Sequence, residues 1–294
     1  MKMKKLSVVL LSLLAAVMVL SGCGGGAQDN DSAESAENGA KNSDQAILIV
    51  SFGTSYNDSR DKTIGAIETA AAEAFPEYEV RRAFTSQIII DKLKERDNLE
   101  IDNVTEALDR AVADGIKTLI VQPTHLMNGY EYTDLKEELE TYRDKFEKIA
   151  LGEPLLTSEE DFRAVAETIT SETSSYDDGK TAICFMGHGT EADSNQVYAK
   201  MQQTLAAMGK EPTLEDVMAA MKDKGYSRVV LEPLMVVAGD HANNDMAGDE
   251  EDSWKSQLQA SGYEVECVLK GLGEFEGIQD IYTDHIRAAV DSLS

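Results

Sequence analysis

Positive charge is what this chain has least of for its size. Only 27 of its 294 residues are Lys or Arg, against 54 Asp or Glu, and the formal net charge is −27. Binding nucleic acid requires a cationic footprint on the phosphates, so nucleic acid is excluded as a partner. Cysteine is nearly absent, with three in the chain. Cys184 and Cys267 each sit in an apolar, strand-like run, which reads as buried free thiols and not as a disulfide framework. One tryptophan, Trp254, decides nothing. Long apolar runs are lacking after the N-terminus. The single run from Leu6 to Leu20 is shorter than the ~20 residues of a comfortable membrane span.

That run follows Lys2, Lys4 and Lys5 and ends in Leu20-Ser-Gly-Cys23. Basic start, apolar middle and small residues before a cysteine make residues 1–23 a lipoprotein signal peptide, with Cys23 the lipidation site. The mature chain would be exported and lipid-anchored on the extracytoplasmic face of a bacterial membrane, tethered without spanning it. Losing three lysines takes the charge from −27 to about −30. Residues 24–45 are Gly, Ala, Ser, Asn and acidic residues with no apolar period, a flexible tether. Folded sequence begins at Ala46, and the rest is long enough for two modest domains or one large one.

Strand-like and helical patterns then alternate, which favours parallel sheets with helical crossovers. Strands are expected at Ala46–Phe52, Glu77–Phe84, Thr118–Gln122, Thr181–Met186, Arg228–Leu231 and Glu264–Leu269. Helices are expected at Asp61–Ala74, Val104–Ala113, Thr133–Tyr142, Glu159–Thr168, Ser194–Met208, Leu214–Lys224 and Gly277–Leu293, with Asn103 and Thr213 as N-caps. Beneath this lies a weak duplication. Phe52-Gly-Thr54 matches His188-Gly-Thr190. Gly115, Pro123 and Gly129 match Gly225, Pro233 and Gly239 at identical spacings, and Leu151-Gly-Glu153 echoes Leu272-Gly-Glu274. The expected fold is α/β with two similar lobes, 46–176 and 177–294, each a parallel sheet flanked by helices, and a cleft between them. The second lobe passes from Ala206 to Thr213 without the strand that the first has at Glu77–Ser86.

The chain has four histidines, and two of them, His188 and His241, end apolar strand patterns. Open α/β sheets place ligands at the carboxyl ends of their strands, and imidazole is both a metal ligand and a proton acceptor. The duplication sets Glu131 opposite His241 and Phe52 opposite His188. His188, His241 and Glu131 form a divalent-metal and acid–base set, with Asp240 available to orient the His241 ring. Phe52, Met127 and Met235 are candidates to line an apolar slot for a flat ligand, although methionine at such positions also serves as core. His125 fits a structural role at least as well as a site role. His285, on an amphipathic helix, is expected at the surface.

The segments Val50-Ser-Phe-Gly-Thr-Ser-Tyr56, Gln122-Pro-Thr-His-Leu-Met-Asn-Gly-Tyr-Glu-Tyr132, Met186-Gly-His-Gly-Thr-Glu191 and Pro233 through Asp249 resemble those of the anaerobic-type sirohydrochlorin cobaltochelatases, class II chelatases related in fold to ferrochelatase. The resemblance runs from about Ala46 to the C-terminus. It implies a chelatase-like pair of lobes with the tetrapyrrole in the cleft, and His188, His241 and Glu131 as the catalytic and metal-holding residues. Two departures stand out: a Val-Glu-Gly strand usual before the Pro-Thr-Leu helix is missing, and Ala192-Asp193 replaces a second histidine after Gly-His-Gly-Thr.

The implied activity is insertion of a divalent metal substrate, Co(II) or alternatively Fe(II), into sirohydrochlorin or a related tetrapyrrole, with no nucleotide involved. A homo-oligomer is compatible with this. An anionic protein repels a polycarboxylate ring at long range, so local cations are needed, and Arg60 and Lys62 are candidates. The rival is a non-catalytic exported lipoprotein that binds a tetrapyrrole or metal for haem or metal uptake. Export itself favours the rival, because sirohydrochlorin is made in the cytoplasm.

Overall fold

A computed structural model describes residues 44–188, 196–207 and 225–294. The expected signal peptide, Cys23 and the expected tether up to residue 43 lie outside the described residues, and Gln45, the last residue assigned to that tether, already belongs to the first strand. So do the expected helix Leu214–Lys224, the expected Thr213 cap and most of the segment Ala206–Thr213, whose sequence shows no strand pattern.

The first lobe holds β1 (Gln45–Ser51), β2 (Glu79–Phe84), β3 (Thr118–Pro123) and β4 (Lys148–Leu151), all parallel in the order β2-β1-β3-β4. The second holds β5 (Thr181–Met186), β6 (Arg228–Pro233) and β7 (Glu264–Cys267), parallel in the order β5-β6-β7, with the short helix α8 (Trp254–Ala260) leading into β7. The near-continuous apolar run of β1 is what a parallel strand covered on both faces requires. Its side chains divide by alternation. Ala46, Leu48 and Val50 pack with α4 (Val104–Ala113) and α5 (Tyr130–Tyr142) through Leu108, Leu135 and Leu139. Ile47 and Ile49 point the other way, against α2 (Ile64–Ala74) and α9 (Glu276–Asp291) through Ala71, Phe75 and Ile286. Asn103 caps α4 as expected, accepting from the Glu106 N–H while Glu106 returns the bond.

The lobes are tied together by helices shared between them. Helix α9 puts Ile286 and Ala289 into the first-lobe core, and Ile278, Ile281 and Tyr282 into a second core. That second core gathers Phe162, Val165 and Ile169 of α6 (Glu159–Glu172), Met201 of α7 (Gln196–Ala207), and Leu234 and Val236 after β6. A division of the chain at 176/177 therefore separates the sheets but not their helical cover.

The duplication is visible in the hydrogen bonds. Val50 pairs with Pro123 in the first sheet and Met186 with Pro233 in the second. Thr124 N–H donates to Val50 O (2.8 Å) as Leu234 N–H donates to Met186 O (2.7 Å). The Leu-Gly-Glu echo, however, is not structural. Gly152 N–H bonds Val121 O where Val268 N–H bonds Leu231 O, so Leu151-Gly-Glu153 corresponds to Cys267-Val-Leu269 and not to Leu272-Gly-Glu274. Among the described residues the second sheet lacks a counterpart of β2, whose place in the chain would fall within 208–224.

Two elements escape the sequence pattern. Helix α3 (Gln87–Asp97) contains Ile88-Ile-Ile90, a β-branched run that masks the helical period, and buries only Ile90 and Leu93. Strand β4 is four residues at a sheet edge, too short to show a period. Helix α1 (Asn57–Lys62) starts earlier than expected and is separated from α2 at Thr63. Cys184 and Cys267 are free thiols, and burial pushes the Cys184 thiol up to about 12.

Candidate functional site

The residues singled out from sequence converge on the carboxyl ends of the central strands. His188 follows β5 by two residues. His241 opens the turn after β6. Their ring centroids are 4.2 Å apart with planes at 87°, an edge-to-face contact. Phe52 follows β1 at the position equivalent to His188 and is 51% exposed. Gly53, beside it, takes φ +95°, and a Cβ there would lie 2.5 Å from the Phe84 ring. Only glycine lets the chain turn so tightly over that core residue.

The segment from Gly239 to Gly248 is not an open polar loop. Ala242–Met246 form a π-helical turn closed by Ala247 N–H to Ala242 O (3.2 Å), a geometry that recurs at functional sites. Asn243 donates its amide to Gly239 O (2.7 Å) and Asn244 to Asp240 Oδ1 (2.9 Å). A Cβ at Gly248 would lie 2.2 Å from Asn244 O, so a glycine is required to close the turn. This corrects the role given to Asp240. The partner of His241 is Asp245, whose Oδ2 lies 2.5 Å from Nδ1, one turn further on. A carboxylate on Nδ1 favours the Nδ1–H tautomer and leaves the Nε2 lone pair free for a metal.

The first lobe meets this turn directly. Ser59 Oγ accepts from Ala238 N–H (3.0 Å), and the Tyr56 hydroxyl hydrogen-bonds with Asp240 and Asn244. Burial, then the charge of Asp240, raises the Tyr56 pKa. Glu131 lies exposed in the first turn of α5, at the position equivalent to His241. Among the described residues no three His, Cys, Asp or Glu side chains are arranged to hold an ion. The structure thus assembles the histidine pair and leaves Glu131 outside it. Met127 is buried and Met235 is half-buried against the core of Met186, Leu231 and Met246. Of the three slot candidates only Phe52 presents its ring to solvent.

Two expectations fail. Arg60 is not available for a ligand: it is 7% exposed and spends its guanidinium on Asp61 and Asn57. His285 is not at the surface. Its ring bridges Glu153 O (Nδ1, 3.0 Å) and Asp161 Oδ1 (Nε2, 3.2 Å), linking α9 to the capping box of α6. An amphipathic pattern gives the helix face but not the polar partner brought up from a distant loop. Cations that sequence reading passed over are Lys92 and Arg96 of α3. With Ser55, Tyr56, Asn57 and Asp58 they line a surface cavity of about 520 Å³. Finding them required recognising α3, since the Lys92/Arg96 spacing is that of one helix face.

His125 ends the β3 segment inside the fold. Both ring nitrogens are buried without a hydrogen-bond partner, and desolvation lowers its pKa to about 4, partly offset by the charge of Glu131.

Three comparisons bear on what this arrangement does. A family model described as cobalt chelatase (CbiK) matches residues 45–291. A sirohydrochlorin cobaltochelatase of Salmonella typhimurium is 36% identical over 256 residues, 84% of this chain and 97% of that one. The sirohydrochlorin cobaltochelatase CbiKC of Nitratidesulfovibrio vulgaris is 34% identical over 260 residues, 85% of this chain and 92% of that one. Among solved structures, the sirohydrochlorin chelatase SirB of Bacillus subtilis subspecies spizizenii in complex with cobalt matches with a TM-score of 0.60 at 13% identity, covering 84% of this chain and 96% of that one. CbiX, the terminal enzyme of sirohaem biosynthesis in denitrifying bacteria, gives 0.51 at 14% identity, covering 83% and 99%. These structures share the α/β chelatase fold.

Proposed function

The chain belongs to the cobalt chelatase (CbiK) family, and from that premise we propose that it inserts a divalent ion into sirohydrochlorin or a closely related tetrapyrrole. Co(II) is the proposed metal substrate and Fe(II) the alternative. The observation that carries this reading is the His188–His241 pair at 4.2 Å, presented at the ends of two adjacent strands with Asp245 fixing the second ring.

Metal insertion needs a weakly held ion beside the ring and acceptors for the two pyrrole N–H protons. Two imidazole nitrogens suit borderline-soft Co(II) and Fe(II) and can pass the ion on. Glu131, exposed in the first turn of α5 and outside the histidine pair, is the carboxylate proposed to take a proton as the ion enters the ring. Phe52 offers an exposed aromatic face for the flat macrocycle. Lys92, on the rim of the cavity beside Tyr56, offers positive charge that a polycarboxylate needs in a chain of −27.

We also propose that the protein works outside the cytoplasm, anchored through lipid on Cys23. The support is the sequence Leu20-Ser-Gly-Cys23 behind a basic start and an apolar run. Substituting Cys23→Ala is expected to move the protein from the membrane fraction to the soluble one. Unchanged membrane retention would refute the anchor.

The activity is tested by anaerobic absorbance spectra of the full chain with sirohydrochlorin and Co(II) or Fe(II), against a protein-free control. Accelerated conversion to the metallated spectrum, abolished by His188→Ala and by His241→Ala, is expected. A stoichiometric spectral shift with no acceleration would instead make the protein a tetrapyrrole carrier.

A further inference from the structure

His125 has both ring nitrogens buried and unpaired, the one residue of the described fold with two such atoms. Buried polar groups are nearly always paired, and an exception calls for a reason. Around it Thr124 Oγ1 donates to Ser51 Oγ (2.8 Å), Tyr282 OH donates to Thr124 O (3.0 Å) and Gln122 Nε2 donates to Pro123 O and Glu153 O (both 2.8 Å), although Gln122 Oε1 is itself buried without a partner. Neither nitrogen of the His125 ring has a partner among the described residues.

The internal repeat shows that packing does not demand a histidine here. The equivalent residue of the second lobe is Met235. The two backbones are held alike, with Leu155 N–H bonding His125 O (3.0 Å) and Leu272 N–H bonding Met235 O (2.8 Å). Met235 packs into an apolar core with no polar group to satisfy. The fold thus accepts an apolar side chain at this position, and the first lobe carries an imidazole there at the cost of two unpaired nitrogens.

Six residues beyond each lies the residue that faces the chemistry: His241 in the second lobe, Glu131 in the first. The Glu131 carboxylate acts electrostatically on the His125 ring. An imidazole nitrogen and a carboxylate oxygen together form a natural half-site for a borderline divalent ion. The turn between them is held at Gly129, whose N–H donates to Met127 O (2.9 Å) and whose carbonyl accepts from Thr133 N–H (3.1 Å) and Thr133 Oγ1 (3.0 Å).

We propose that His125 is a further ligand for the metal substrate, forming with Glu131 a first-lobe half-site that works opposite the His188–His241 pair. The half-site rests on the reading of Glu131 as a site residue. It accounts for why Glu131 joins no three-residue cluster with the two histidines: its nearest co-ligand lies in its own lobe.

The test adds Co(II) alone to the full chain and compares wild type with His125→Leu, Glu131→Gln and His188→Ala. Affinity is read by calorimetry and ligand type by the Co(II) absorption bands. Thermal midpoints are measured without metal, and insertion is measured separately. His125→Leu is expected to melt no lower than wild type, because it removes two unpaired buried polar atoms. It is expected to bind Co(II) at least tenfold more weakly and to lose a similar factor in kcat, with KM for the ring unchanged. His125→Gln, which keeps polar donors in the space, serves if the leucine variant fails to fold, with the same expected loss. Wild-type Co(II) affinity and insertion rate in a folded His125 variant would overturn the proposal and leave a plain core histidine. The Co(II)-alone measurement stands even if the wild type inserts no metal, so failure of the chelatase reading and failure of this half-site are told apart.

Discussion

Phe52 and His188 occupy the same position in two copies of one structural unit. Each stands two residues beyond the strand residue that pairs with a proline, Val50 with Pro123 and Met186 with Pro233. At that shared position one lobe presents an exposed aromatic ring and the other a histidine in contact with a second histidine. Under the proposed function the duplicated scaffold would divide its tasks at this position, a histidine for the ion in the second lobe and an aromatic surface for the macrocycle in the first. A phenyl ring half in solvent contributes little to the stability of the fold, so its removal reads ring binding with little interference from folding.

Phe52→Ala should therefore separate binding from folding. The thermal midpoint is expected to move by no more than corresponds to about 0.5 kcal/mol, the usual range for an exposed position. KM for the tetrapyrrole should rise several-fold with a smaller change in kcat, read from initial insertion rates at varied ring concentration. A drop in kcat with unchanged KM would place Phe52 in the chemical step and not in ring binding.

Asp245 is a positioning residue whose effect passes through His241. Its Oδ2 at 2.5 Å from Nδ1 is itself exposed, so removing its charge leaves no buried group unpaired. Asp245→Asn should fold normally and lower Co(II) affinity by about 10–100-fold, the typical loss when the group orienting a ligating histidine is changed. Asp240→Asn, which alters a side chain bonded to Asn244 instead, should do much less. Equal losses in the two variants would mean that the whole turn, and not the 245–241 contact, governs the metal.

Much of this arrangement was legible before any coordinates. Strands with continuous apolar runs, such as Ala46–Val50, declare a sheet covered on both faces, and Thr181–Met186 is found at the bounds its pattern sets. The pairing of Phe52 with His188, and of Glu131 with His241, followed from short matching spacings, because equivalent turns need the same glycines and prolines. What stayed hidden depends on contacts made across the fold. The Asp245–His241 bond needs the π-helical turn, which no period announces. The burial of Arg60 and the bridge from His285 to Asp161 depend on where neighbouring elements come to rest. Lys92 and Arg96 were lost with α3, whose Ile88-Ile-Ile90 carries no helical signal.

Lys92 tests how an anionic protein binds an anionic ring. It lines the cavity beside Tyr56 with Arg96, and among the described residues it forms no ion pair, whereas Arg96 is already bonded to Asp97 and Asn57. Lys92→Ala should weaken ring binding and flatten its dependence on ionic strength, since the attraction it supplies is screened over ~10 Å at 0.1 M salt. Fluorescence titration of metal-free ring at 20–500 mM salt reads both effects. An unchanged salt dependence would remove Lys92 from the binding surface.

Glu232 gives a stability prediction independent of the cleft chemistry. It sits on β6 at 4% exposure, and desolvation raises its pKa from 4.5 to about 7, with Lys270 pulling it down and Glu172 pushing it up. The native state therefore keeps a proton that the unfolded chain gives up between pH 4.5 and 7. The associated stability is fully present below 4.5 and is lost as pH rises through 7. At 1.36 kcal/mol per unit, the loss above pH 7 is at most about 3 kcal/mol. The equivalent position in the first lobe is Gln122, a neutral amide that bonds Pro123 O and Glu153 O. Glu232→Gln should make the second lobe resemble the first, raising the melting temperature at pH 8.5 by several degrees and hardly changing it at pH 4.5. Thermal melts across that range read the difference directly. A gap independent of pH would mean that the glutamate is ionised in the native state, its charge already compensated by Lys270, and that the amide gains by packing alone.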